Sequence, residues 1–139
     1  MTGVKVQWDG YISLSIPDEW DWEEEDGVIS IYNSNGVGAI QISFVESDEP
    51  GALFKPEDFV SLFIREQFGS VAPTSIMLGR IPAAYFEGVD NDPEPSYWRV
   101  WAAGEKGRGV TISYNCTASD HQLEKAEIDA MMNSIKWLF

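Results

Sequence analysis

The stretch Tyr11–Asp26, YISLSIPDEWDWEEED, constrains this chain more than any other part of it. Ile12, Leu14 and Ile16 fall on one side of an extended backbone and Ser13 and Ser15 on the other, the period of two that a half-buried strand requires. Pro17 has no N–H to give to a sheet ladder, so the strand should stop there. From Asp18 to Asp26 seven of nine residues are acidic, and the other two are Trp20 and Trp22. A strand with one apolar face needs a second layer to cover it, so the rest of the chain reads as the sheet and helices that supply that cover.

Beyond Gly27, Ile29 and Ile31 alternate with Ser30 and Tyr32 until Asn33-Ser34-Asn35-Gly36 offers a turn. Gly38–Val45 then predicts another strand, with Ile40, Ile42 and Phe44 inward. Short connections between these three strands predict an antiparallel meander. Pro56 suits a first helical position, Glu57 and Asp58 suit the positive end of a helix dipole, and Gly69 suits the position after the last turn. Between them Phe59, Val60, Phe63, Ile64 and Phe68 form an apolar stripe at spacings of three and four.

Ser75–Leu78 and Ala83–Val89 read as two more strands around Gly79-Arg80-Ile81-Pro82. Tyr97–Ala103 and Val110–Cys116 read as a pair joined by the hairpin tip GEKGRG. Val110, Ile112, Tyr114 and Cys116 share a face, which turns the thiol inward. Ser119 and Gln122 have capping-box spacing, predicting a helix to about Trp137 that packs through Leu123, Ala126, Ala130, Met131, Ser134 and Ile135. The expectation is one α+β domain over residues 1–139, built on a single antiparallel sheet flanked by helices.

With 44% apolar and 13% aromatic residues the chain can bury a core despite its charge. The 23 acids against 9 bases leave a formal charge of −14, which repels phosphate backbones and anionic membranes and favours a protein partner with a basic surface. No cationic segment leads into an apolar run, and no stretch approaches a membrane span of ~20 apolar residues. A single cysteine excludes an internal disulfide and fits a reducing compartment, so a cytoplasmic location is expected. The oligomeric state is not readable.

Three local patterns, taken together, resemble the PsbP/Mog1-like superfamily: a strand ending in Ile16-Pro17 with Trp20 just beyond it, a meander and helix followed by a second set of strands, and a last helix closing in Ser134-Ile135-Lys136. That superfamily includes extrinsic photosystem proteins, a Ran-binding nuclear factor, bacterial DcrB-like proteins and secretion-effector chaperones. The resemblance implies an antiparallel sheet with helices on both sides, an α/β/α sandwich, and a scaffold that mostly binds proteins. No motif matching a Ran-binding or manganese-cluster site is present, so those functions are not implied.

The segment Asp18, Glu19, Trp20, Asp21, Trp22, Glu23, Glu24, Glu25, Asp26 is the candidate partner-binding site: carboxylates around an aromatic anchor suit a basic protein through steering and a buried contact. The same residues also read as a solvated connection whose acids only keep the chain soluble. A rival from another class is a small-molecule binder or weak hydrolase with a cleft lined by Tyr97, Trp98 and Trp101. Asp90, Asp92 and Glu94 lack the turn glycine of a calcium loop, and GEKGRG joins strands without a helix dipole, so no metal or phosphate site is expected. Cys116 and His121, the only thiol and imidazole, lie on a buried strand face and in a first helical turn, which does not suit a nucleophile pair. No catalytic residue and no cofactor are expected.

Overall fold

The structure is a computed structural model that describes residues 3–47, 49, 55–91, 93–105 and 107–138. Two hairpins open it. In the first, β1 (Gly3–Trp8) pairs antiparallel with β2 (Ile12–Pro17) around Gly10, whose φ of 80° makes the turn. In the second, β3 (Trp20–Glu25) pairs with β4 (Val28–Asn33) through Asp26 and Gly27, at φ 53° and 80°, the paired positive angles of a two-residue hairpin. Two expectations are corrected here. A strand precedes the Tyr11 stretch, and the acidic segment is itself a strand, not a connection.

β5 (Gly38–Glu46) continues from β4, and β9 (Arg108–Thr117) inserts beside it, followed outward by β8 (Ser96–Glu105), β7 (Ile81–Asp90) and β6 (Thr74–Leu78). The order β3-β4-β5-β9-β8-β7-β6 makes a seven-stranded sheet, with every pair antiparallel. The strand at Ile12 does not join it. β2 sits instead at the centre of a three-stranded sheet, β1-β2-β10, in which the third strand is Lys136–Trp137. The single sheet expected from short connections is therefore two, because a tight turn at Asp18 and Glu19 carries the chain from one layer to the other.

The large sheet is covered on both faces. On one, helix α1 (Pro56–Phe68) packs on β7 and β8, burying Val60 and Ile64 against Ala84, Phe86, Val100 and Ala102. Phe63, expected within the stripe, is 45% exposed and touches Trp98 edge-on. On the other face, the small sheet and helix α2 (Lys125–Asn133) close over Ile29, Ile31, Ile40, Ile42, Ile112 and Tyr114, with Ile12, Leu14 and Ile16 pointing down into the same core. Val110, Ile112, Tyr114 and Cys116 all face it, as their alternation required.

The last helix is shorter than expected. Residues 118–120 form a 3₁₀ turn, Ser119 gives no side-chain cap, and the helix runs only from Lys125. Leu123, Ala126 and Ala130 are exposed, while Ile128, Met131 and Met132 face the core. Ser134 ends the helix by giving its N–H to Ala130 and Met131 and its hydroxyl to Met131, which frees the chain to form β10. Trp137 is thus a strand residue whose indole N–H donates to the Leu78 carbonyl at 2.7 Å. The hairpin expected at GEKGRG is present between Glu105 and Arg108, with Lys106 outside the described residues.

Candidate functional site

β3 lies at the edge of the large sheet, so one line of its backbone N–H and C=O groups has no neighbouring strand in the sheet. Alternation divides its side chains between the two faces. Trp20, only 6% exposed, reaches the core, and Trp22, opposite Ile31, points the same way but lies at the rim, 42% exposed. Asp21, Glu23 and Glu25 stand on the opposite face, across from Tyr32, Ser30 and Val28. There the register continues from Glu23 through Ser30 and Gln41 to Ser113, a polar row on the half of the sheet away from α1. Asp18 and Glu19 form the turn before the strand and Asp26 the turn after it. Among the described residues Asp21, Glu23, Glu24 and Glu25 make no ion pair. Four carboxylates on one edge strand also repel a second copy of the same strand, which keeps the edge from pairing with itself.

Trp22 does not stand alone. Its ring meets Trp8 edge-on at 5.7 Å and 83°, Trp8 lies 6.2 Å from Phe44, and Phe44 stacks on Tyr11 at 4.5 Å. Arg108 closes the series, 5.8 Å from the Tyr11 ring centre, with its Nη1 donating to the Gly10 carbonyl at 3.1 Å. This strip spans the gap between the two sheets at one end of the sandwich and is partly open to solvent. Trp8 and Tyr11 were missed as site residues. The signal for them was present in the alternation of Val4, Val6 and Trp8 before Asp9-Gly10, a turn pair that predicts a hairpin.

The rival trio is not brought together. Tyr97 and Trp101 lie in the core on the α2 side of β8, whereas Trp98 lies on the α1 side against Phe63. Between Tyr97 and Trp101 stands Arg99, 9% exposed, with its guanidinium 4.7 Å from the Trp101 ring centre and 5.5 Å from that of Tyr85. Its Nε donates to the Tyr85 hydroxyl at 2.8 Å and its Nη2 to Asp129 at 2.9 Å, while Lys125 holds the other Asp129 oxygen at 2.6 Å. Glu87 accepts from the hydroxyls of both Tyr85 (3.2 Å) and Tyr97 (2.5 Å). Burial, with help from Glu87, raises the pKa of both tyrosines, so they stay protonated. Burial alone would lower the Arg99 pKa, but Tyr85 and Asp129 hold it above its ordinary value. The result is a set of paired charges that ties α2 to β7 and β8.

Cys116 and His121 form no dyad. Burial pushes the Cys116 thiol up, opposite to what an attacking thiolate needs, and Cys116 is 6% exposed. His121 is exposed, with Nδ1 against the Ala118 carbonyl and Nε2 against the Gln122 amide, each at 3.0 Å. Among the described residues no three His, Cys, Asp or Glu side chains gather as a metal site. Of the weak calcium pattern, Asp92 lies outside the described residues and Asp90 accepts from Gln67 at 3.2 Å. No helix among those residues is long and apolar enough to cross a membrane.

No family model matches the sequence, and no curated protein sequence matches it. Solved structures do match the fold. A Bacteroides thetaiotaomicron VPI-5482 protein superposes with a TM-score of 0.73 at 16% identity over 99% of this chain, which spans 49% of that protein's length. The Saccharomyces cerevisiae Ran-binding protein Mog1p gives 0.62 at 13% identity, covering 99% of this chain and 96% of its own. The Synechocystis PsbP protein CyanoP gives 0.62 at 14% identity, covering 93% and 87%. At such identities the likeness speaks of architecture alone. That architecture, two helices and a small sheet packed on a long antiparallel one, is the α+β fold that this chain shares with Mog1p and CyanoP, the PsbP/Mog1-like fold.

Proposed function

We propose that residues 1–139 form one domain that catalyses no reaction and binds a partner protein of basic surface along β3. The observation that carries this reading is the division of β3 into two uses. Trp20 anchors the strand in the core, which leaves Trp22 at the end of an aromatic strip and Asp21, Glu23 and Glu25 unanswered by any described base. An edge strand with an aromatic contact on one face and exposed like charges on the other supplies what a fast, specific encounter needs: charge steers the partner in, and the ring supplies desolvated contact once it has docked. That Mog1p is a Ran-binding protein supports a binding role for the scaffold without naming this chain's partner. The buried thiol of Cys116 suits the cytoplasm, where an immunity protein against a basic toxin or a chaperone for a secreted effector would meet such a partner.

The test is capture of partners from the native host at low and at high salt, repeated with E23K/E25K and with W22A. The reading expects a partner whose capture weakens with salt and is lost in the charge-reversed variant, with W22A weakening capture at both salt concentrations. Capture that ignores salt and both variants would refute it.

A further inference from the structure

A second site lies away from β3, where the turn between β6 and β7 meets the end of α2 and β10. Here an open cavity of about 750 Å³ is lined by Arg80, Lys136, Asn133, Ser134, Ile81 and Trp137, among others. In a chain with only 9 basic residues, two of them share this cavity, and among the described residues neither is in an ion pair. The carbonyls at the end of α2, which would repel an anion, already accept from Ser134 and Ile135.

The backbone beneath Arg80 gives an independent reason to regard the site as built. Leu78 pairs with Ile81, so Gly79 and Arg80 are the whole turn, and both have positive φ, 55° and 78°. The second position of such a turn favours glycine, because a side chain there strains the backbone. An arginine stands there instead. Nor can the turn move away to relieve it, since the Trp137 indole holds the Leu78 carbonyl, and a Cβ on Gly79 would lie 2.7 Å from that indole nitrogen. The turn thus sacrifices some stability to keep an arginine at the cavity, beside a wall fixed by the Trp137 hydrogen bond.

We propose that this cavity binds a small organic oxyanion, its charged group between Arg80 and Lys136 and its apolar body against Ile81 and Trp137. A guanidinium takes carboxylate and phosphate oxygens in a two-pronged hydrogen bond, and an ammonium adds charge without geometric demand. The net charge of −14 does not forbid this, because at physiological salt a field decays over about 8 Å and the two cations are the charges lining the cavity.

The test follows the Trp137 indole N–H and the Arg80 and Lys136 amides by two-dimensional NMR while benzoate, phenyl phosphate, inorganic phosphate or neutral benzamide is added. Saturable shifts at these three positions with benzoate or phenyl phosphate, and none with benzamide, are expected; whichever of the two binds tighter names the anion. Inorganic phosphate should bind more weakly, for want of an apolar body. R80G separates the proposal from a folding defect, because it should weaken binding roughly tenfold or more while raising the melting temperature by relieving the turn. K136Q should weaken binding with the melting temperature unchanged. Absence of saturable shifts with every anion, or equal binding by the parent and R80G, would overturn the proposal.

Discussion

The acidic edge at β3 and the charged cluster around Arg99 handle charge in opposite ways. On β3 the carboxylates of Asp21, Glu23, Glu24 and Glu25 stand in solvent with no described base to meet them. Around Arg99 nearly every charge is answered: Asp129 by Arg99 and Lys125, Glu87 by two tyrosine hydroxyls, and the guanidinium by two aromatic faces as well. The difference is one of burial. Removing a charge from water costs several kcal/mol unless partners surround it, whereas an exposed carboxylate costs little and remains available to another molecule. Only Arg99 Nη1 is left over in the buried cluster, lying beside aromatic rings. Charges already used in holding the fold together are poor candidates for recognition, and unused ones are good candidates.

The largest expected effect tests the division within β3 itself. Trp20→Ala should cost about 3–5 kcal/mol in a denaturant titration, as a large ring lost from the core, while Trp22→Ala should cost about 1 kcal/mol. Equal losses would erase the distinction between anchor and contact. Next, deleting one carboxylate from each region should separate the regions: Asp129→Ala, which strands a buried guanidinium, should cost about 2 kcal/mol after allowance for the partial exposure of Asp129.

A pH series sharpens the comparison further. Burial alone would raise the Asp129 pKa, but hydrogen bonds from Lys125 and Arg99 lower it below its ordinary value. A depressed carboxyl pKa lends stability that is present above the unfolded value of about 4 and is lost as pH falls through the folded one, so Asp129→Asn should flatten the acid limb of a stability profile. Tyr97, raised chiefly by burial, works in the other direction. Its contribution is present below the unfolded value of about 10 and fades above it, so Tyr97→Phe should flatten the alkaline limb. Profiles unchanged in both variants would mean that the cluster does not carry its charges as described. The smallest effect belongs to the β3 edge, where Glu23→Gln with Glu25→Gln should change stability by no more than about 0.5 kcal/mol by thermal melting. A large loss there would show that these acids serve the fold.

Much of the fold was legible, because a period of two survives any context. Ile12, Leu14 and Ile16, Ile40 and Ile42, and Val110 through Cys116 all bury the faces that their alternation assigned. Helix α1 was legible from its proline and its stripe. Less legible was β3, where carboxylates hide an alternation that Trp20 and Trp22 keep on one side and Asp26-Gly27 closes with a hairpin turn. The last helix was misread in its length and its packing face, since it runs only from Lys125 to Asn133 and Leu123, Ala126 and Ala130 have helical spacing but face solvent. Of the candidate site, the acids and Trp22 could be read locally. Trp8, Tyr11 and Phe44 could not be joined to them, because the strip runs between two sheets.

By itself the sequence determined the antiparallel, half-buried character of the strands, the position of α1, the inward thiol and the excess of negative charge, all of which depend on neighbours a few residues apart. Only the tertiary structure decided that the strands divide into two sheets, that Trp22 joins Trp8, Phe44 and Tyr11 in one strip, and that Arg80 and Lys136 share a cavity. The physical reason is distance along the chain. Which strand pairs with which, and which charges meet, is set by the packing of layers over long sequence separations, and no local period encodes it.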